Sequence, residues 1–191
     1  AVQFERALGG TGAMNERHSL LAAIREEVKL QDHDPSWSFA FRAERERIWS
    51  ELPGVFIDLQ HVGSTAVPGL VAKPIIDILA GVESMAMAEA IVEPICRAGY
   101  TTSAEFNETL VDRKWFMRWS NGQRTHHLHV VVHAAGVWHD YLRFRDELRT
   151  RPDLAARYAV LKMQLAQRYA TDREAYTDAK ADFVRSVLNH A

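Results

Sequence analysis

The stretch from Pro74 to Ala80 is almost continuously apolar and carries one carboxylate, Asp77. A run of this length without alternation predicts a central β-strand buried on both faces. An ionised carboxylate inside such a strand costs several kcal/mol unless it is paired or bound to a metal. Two compensations are open: an ion pair with Lys73 or an arginine, or a metal held at the lip of a cleft.

The surrounding pattern supplies the partners of that strand. Leu20, Leu21, Ile24 and Val28 recur at helical spacing. Asp34-Pro35 reads as an N-cap followed by a first-turn proline. Trp37, Phe41, Ile48 and Leu52 line one face of the next helix, which Pro53-Gly54 ends. Residues 55–62 alternate and predict a strand that Gly63-Ser64 breaks. Ser84 caps a helix through Ile91 and Ile95, and Gly99 stops it. Trp138 to Leu148 is helical, and Pro152 opens a helix containing Tyr158, Leu161 and Leu165. Thr171-Asp172-Arg173-Glu174 is a capping box for a last one. The order is helices, a mixed sheet, then a helical C-terminal third, which makes an α+β chain.

Composition narrows the function. With 47% hydrophobic and 25% charged residues over 191 positions, the chain can bury a core and is not mainly disordered. A formal net charge of −2 gives no general pull towards a polyanion, so duplex nucleic acid is not an expected partner. Cys96 is the only cysteine, so no internal disulfide can form, which suits a reducing cytoplasm. No apolar run approaches the roughly 20 residues that cross a bilayer, and the N-terminus lacks a secretory pattern. A cytoplasmic protein without membrane contact is the expectation. Residues 1–13 have no clear period and read as a flexible lead or a cloning remnant, ahead of one domain over residues 14–191. Nothing in the pattern sets an oligomeric state.

Chemistry concentrates in two places. His61-Val62-Gly63-Ser64 ends a strand in a Gly-Ser bend, where backbone can approach a ligand closely. A helix starting there offers free N–H groups and a hydroxyl to an anion. The second place is a hairpin. Arg113 to Trp119 and Arg124 to Val132 both alternate around Asn121-Gly122, a two-residue turn signal. Counting outward from that turn, Phe116 faces His127 and Lys114 faces His129. Lys114, Phe116, Arg118, His127 and His129 then share one face, and Trp115, Met117, Trp119, Leu128 and Val130 share a core face. His127 and His129, at i and i+2, could join Asp77 as a two-histidine, one-carboxylate metal set. Such a set suits zinc, manganese or iron better than magnesium. Lys114 and Arg118 on that face would stabilise charge on a phosphate, and Lys73 could pair with Asp77 or with phosphate. His127 and His129 could instead bind or protonate a phosphate, and solvated strand residues are the plainer reading of the histidines and cations. No hydrolase elbow or Walker lysine pattern is present.

The segment HVGSTAVPGLVAKPIIDIL, residues 61–79, resembles the GrpB family, a branch of the nucleotidyltransferase superfamily that includes DNA polymerase beta. The resemblance continues in THHLHVVV, in YLRFRDELR and in the spacing of Tyr158, Lys162, Tyr176 and Lys180. It implies a nucleotidyltransferase-like mixed β-sheet with helices packed on one face. It places phosphate binding at Gly63 and Ser64 and a metal on Asp77. From their placement beside these, Thr65 joins the candidate phosphate set, and His129 and Lys114 join Asp77 as candidate catalytic residues. The superfamily wants a second acid two residues after the first, where this chain has Leu79. Two-ion transfer uses facing carboxylates, so this departure bears directly on activity. The resemblance implies nucleotidyl transfer from a nucleotide to an unknown acceptor, with a divalent ion (magnesium, or zinc or manganese if the histidines ligate). Two alternatives stand beside it: a catalytically degenerate nucleotide-binding or chaperone-like module linked to coenzyme A metabolism, and a His/Asp metal-dependent enzyme of another class.

Overall fold

A computed structural model of the chain describes residues 27–189. Leu20, Leu21 and Ile24 of the first expected helix and the lead over residues 1–13 lie outside the described residues; Val28, the last position of that expected helix, is not helical, and its N–H donates to Ala170 O at 2.9 Å.

Helix α1 (Ser36–Glu51) follows Asp34, whose carboxylate accepts from Ser36 N at 2.8 Å. Its buried face carries Trp37 and Ile48. Strand β1 (Asp58–Val62) is shorter than expected, because Val55 N bonds back to Leu52 O in the turn after α1. Strand β2 (Ile76–Val82) is the apolar run, shifted two residues towards Val82. Ser84 accepts from Met87 N and opens α2 (Met85–Ala90), and α3 (Val92–Arg97) follows where one helix was expected. A short α4 (Ala104–Glu108) precedes the hairpin of β3 (Arg113–Ser120) and β4 (Gln123–Val132). Then come α5 (Gly136–Thr150), α6 (Pro152–Arg168), α7 (Arg173–Asp178) and α8 (Ala181–Asn189). The cap of α7 is Asp172, which accepts from Ala175 N at 3.0 Å.

The four strands lie in the order β1-β2-β4-β3. The pair β1–β2 is antiparallel, β2–β4 parallel and β3–β4 antiparallel. The apolar run is therefore an inner strand, with helices on its main core face. That face sets Leu59, Ile76, Ile78, Ala80, Phe116, Leu128 and Val130 against Trp37 and Ile48 of α1 and against Ala88, Ile91 and Ile95. Helix α5 also reaches the opposite face, where Trp138 packs with Val62, Leu79 and Val131. A third cluster joins Val67 and Leu70, just past the Gly-Ser bend, to Leu148, Leu154, Tyr158 and Val187. The bend is thereby held between the sheet and the C-terminal helices.

The hairpin departs from the expected register. Ser120 pairs with Gln123 and Trp119 with Arg124, as the two-residue turn dictates, but Arg118 pairs with His126. Thr125 is the extra residue of a β-bulge, and its hydroxyl donates to Arg118 O at 3.3 Å. A one-residue slip exchanges the faces of everything beyond it. Trp115 now lies opposite His129 and Met117 opposite His127, whereas Lys114 and Arg118 turn to the main core face.

Candidate functional site

Asp77 and His127 are register partners on parallel neighbours β2 and β4, and Leu79 and His129 are the next pair on the same face. Period-two alternation thus aims one carboxylate and two imidazoles at one place. Their donor atoms all lie within 4.8 Å of one another. His127 Nδ1 is 2.9 Å and His129 Nε2 3.5 Å from Asp77 Oδ1. Side-chain exposure of 26% for Asp77 and 14% for each histidine leaves the group open to a small ligand.

Hydrogen-bond chemistry fixes the protons. A guanidinium only donates, so Arg124 Nη1, at 3.0 Å, bonds to the lone pair of His127 Nε2. His127 then carries its proton on Nδ1 and donates it to Asp77. Burial pushes the Asp77 carboxyl up, but the hydrogen bonds from His127 and His129 together outweigh it and hold the group below the ordinary carboxylate range. Burial drives His127 down to about 3 against the pull of Asp77, so its imidazole is neutral at neutral pH. Tyr141 of α5 places its hydroxyl 3.3 Å from His129 Nδ1. That leaves Nε2 as the face turned towards the carboxylate. For His127 Nδ1 to face an ion instead, its proton must pass to Nε2 and Arg124 must swing away.

The Gly-Ser bend closes one side of this group. Gly63 has φ +71°, and a Cβ built on it would meet Asp77 Oδ2 at 2.3 Å. Only glycine lets the bend lie against the carboxylate. Ser64–Ala66 is a three-residue 3₁₀ turn rather than a longer helix. Helix α5 braces it: Arg149 Nε donates to Ala66 O at 2.9 Å, and Arg145 Nη1 donates to His61 O and Gln60 Oε1, both at 3.1 Å. Arg145 therefore supports the bend.

Of the expected site residues, the fold brings together Asp77, His127, His129, Gly63 and Ser64. Thr65 is buried. Its hydroxyl donates to Ile75 O at 3.2 Å and accepts from His61 Nε2 at 3.0 Å, so it ties the bend to the start of β2. Lys73 does not pair with Asp77, whose described partners are the two histidines; its Nζ lies 5.1 Å from the Tyr176 ring centroid. Lys114 and Arg118 are on the far face because of the bulge. Lys114 Nζ is 2.6 Å from Glu89 Oε2, and Arg118 Nη1 is 2.5 Å from Glu44 Oε2. Buried Glu44 also binds Arg47 and accepts from Tyr100 Oη at 2.7 Å. Leu79 is fully buried beneath Trp138, so no ligand occupies the superfamily's second acid position.

Sequence reasoning missed three neighbours. Trp115 reaches the site face, 5.4 Å from His127 between ring centroids. Arg124 and Tyr141 each hold a histidine. Nothing local marked Trp115 or Arg124, whereas Tyr141 opens the quoted YLRFRDELR segment.

A mixed sheet that sets a carboxylate and two imidazoles beside a Gly-Ser bend, with a helical C-terminal part, is of the nucleotidyltransferase-like α+β class by architecture. The chain belongs to the GrpB family: the family described as GrpB protein matches residues 27–190. It is 42% identical over 170 residues to a UPF0157 protein of Pseudomonas aeruginosa, covering 87% of this chain and 68% of that one. The crystal structure of conserved protein GrpB from Enterococcus faecalis superposes with a TM-score of 0.74 at 31% identity, covering 85% of this chain and 96% of that chain. A dephospho-CoA kinase of Mycolicibacterium paratuberculosis is 30% identical over 193 residues, covering 87% of this chain but 46% of its own length. No described helix is long and apolar enough to cross a membrane.

Proposed function

We propose that this chain binds one divalent transition-metal ion through Asp77, His127 and His129 and handles a nucleotide or other phosphate-containing small molecule beside it. The observation that carries this reading is the convergence of the three donors within 4.8 Å on adjacent strands. One carboxylate and two imidazoles suit zinc or manganese better than magnesium. When bound, such an ion would act as a Lewis acid on a phosphoryl oxygen. The residues do the rest: Tyr141 orients His129, Gly63 and Ser64 present backbone and hydroxyl to the phosphate, and Arg124 can leave His127 to bond a phosphate oxygen.

Leu79 argues for chemistry with a single ion, since the facing carboxylate of a two-ion site is missing. A second reading has its own observation. The chain matches less than half of a dephospho-CoA kinase, and the same lost acid fits a binding or accessory module that no longer catalyses nucleotidyl transfer.

The test is calorimetric titration of zinc, manganese and magnesium into chelator-treated wild type, Asp77→Ala and His129→Ala, followed by nucleotide titration with and without the metal. Stoichiometric zinc or manganese binding, lost in both variants and required for nucleotide binding, is expected. Equal binding by Asp77→Ala would overturn the reading. Phosphate release or pyrophosphate release from a bound nucleotide separates an enzyme from a binding module.

A further inference from the structure

On the face that carries the metal donors, aromatic rings continue from α5 across β4 to β3. Centroids lie 5.2 Å apart for Tyr141 and His129, 6.2 Å for His129 and His127, 5.4 Å for His127 and Trp115, and 5.6 Å for Trp115 and Phe106 of α4. Trp119 shares this face of β3 with Trp115, and Arg124 is its register partner. The guanidinium carbon of Arg124 lies 5.9 Å from the Trp115 centroid and 5.5 Å from the Trp119 centroid.

We propose that Trp115 and Trp119 form a slot that takes a planar heteroaromatic ring of the substrate, whose phosphate lies at Asp77 and Gly63. This rests on the metal and phosphate reading of the site. It narrows the ligand to a ring-bearing phosphate ester of the nucleotide kind, as opposed to a sugar phosphate or an inorganic phosphate.

Three observations carry the assignment. The first is place. Neighbouring strands lie about 4.8 Å apart, so β3 is about 10 Å from β2 across the sheet. The sheet order puts β3 on the side of the donors away from β1 and the Gly63 bend that follows it. A molecule with a phosphate at one end and a ring at the other spans the donors in this direction.

The second is the indole pair. Both tryptophans are half-buried, so neither is sealed in a core. Trp115 is pinned from the outer edge of its strand. Its N–H donates to Asn107 Oδ1 at 2.8 Å, and its carbonyl accepts from Asn107 Nδ2 at 3.2 Å and from Thr102 Oγ1. A fixed indole offers a broad contact face at little cost in side-chain order. A guanidinium is planar and stacks on aromatic faces, so Arg124 already holds a flat group against both indoles. Once Arg124 turns to a phosphate oxygen, a ligand ring replaces it there by base–aromatic stacking.

The third is a donor. Trp119 Nε1 is buried and has no hydrogen-bond partner among the described residues. A buried indole N–H ordinarily finds an acceptor. A ring nitrogen or ring carbonyl supplies one where a hydrocarbon ring does not.

The experiment is titration of AMP and of ribose 5-phosphate, which differ only in the ring, into the full chain with zinc and in excess chelator. Calorimetry gives the affinities and tryptophan fluorescence reports the contact, for wild type, Trp115→Leu, Trp119→Leu and Trp115→Phe. Expected is AMP binding tighter than ribose 5-phosphate by roughly fivefold or more, with quenching by AMP alone. The ratio falls to within about twofold of unity in Trp115→Leu, and Trp115→Phe restores most of it. Equal affinity for the two ligands in wild type overturns the slot, and that comparison needs no variant to fold. A ratio unchanged in both leucine variants, whether or not the two affinities drop together, overturns it as well. If ribose 5-phosphate binds with zinc and AMP binds no tighter, the slot fails and the metal and phosphate reading stands. If AMP binds in excess chelator with full dependence on Trp115, the slot stands and the metal reading fails. Binding of neither ligand removes both.

Discussion

Gly63→Ala probes the contact that gives the site its shape. At φ +71° and ψ −171° an alanine would occupy a backbone region essentially restricted to glycine, at a cost of about 1–3 kcal/mol. Its Cβ would also sit 2.3 Å from Asp77 Oδ2 and 3.0 Å from both Asp77 Cβ and Cγ. The carboxylate cannot easily retreat, since His127 and His129 hold its other oxygen. The bend is pinned in turn by Ala66 N to Gly63 O at 3.2 Å and by Arg149. Overpacking of this kind adds about 1–3 kcal/mol. Together these give a loss of about 2–6 kcal/mol, or roughly 4–24 °C in Tm for a chain of this size. Asp77→Ala removes Oδ2 and Cγ but leaves a Cβ at 3.0 Å. In that background the cost of Gly63→Ala should fall towards the backbone strain alone, a coupling of about 1–3 kcal/mol. Urea denaturation of wild type, both single variants and the double variant measures this directly. Additivity within about 0.5 kcal/mol would refute the claim that the glycine exists to seat the carboxylate.

Other outcomes follow from the same geometry. His61 is buried and its pKa is pushed down to about 4, by burial first against the attraction of Asp77. The unfolded chain takes up that proton near pH 6.5 and the folded one only near 4, so stability falls as pH drops through this window, by about 3 kcal/mol at most. His126 and His127 act in the same direction, so the check is a flatter pH slope of unfolding in His61→Asn than in wild type. Arg118→Met removes a cation from buried Glu44 and should cost about 1.5–3 kcal/mol in stability; a changed metal affinity would contradict its place on the far face. Arg124→Met takes away both a like charge and the donor that occupies His127 Nε2, and should tighten zinc binding by roughly fivefold or more. Weaker zinc binding in that variant would show that Arg124 supports the ligand geometry rather than competing with it.

Much was legible in the chain itself, because it rests on local rules. The unalternating run around Asp77 meant an inner strand, Asn121-Gly122 meant a two-residue hairpin, and Pro152 opened a helix where a proline is tolerated. His127 and His129, two apart, had to share a face, and their meeting with Asp77 required only that β4 lie beside β2. The bulge at Thr125 was different. Every residue from Arg124 to His127 is polar, so no apolar period exposed the extra position. Its effect was to carry Lys114 and Arg118 away from the site and Trp115 towards it.

Sequence alone thus settled the inner strand, the hairpin and the longer helices, and which acid needs a partner, since periodicity, turn chemistry and desolvation act over a few residues. Tertiary structure decided which side chains meet. Glu44 of α1 neutralises Arg118 from across the core, Lys162 reaches Ser64 across 98 residues of chain, and Trp138 seals Leu79. Such contacts depend on register and packing between distant segments, and neither quantity is written in any local pattern.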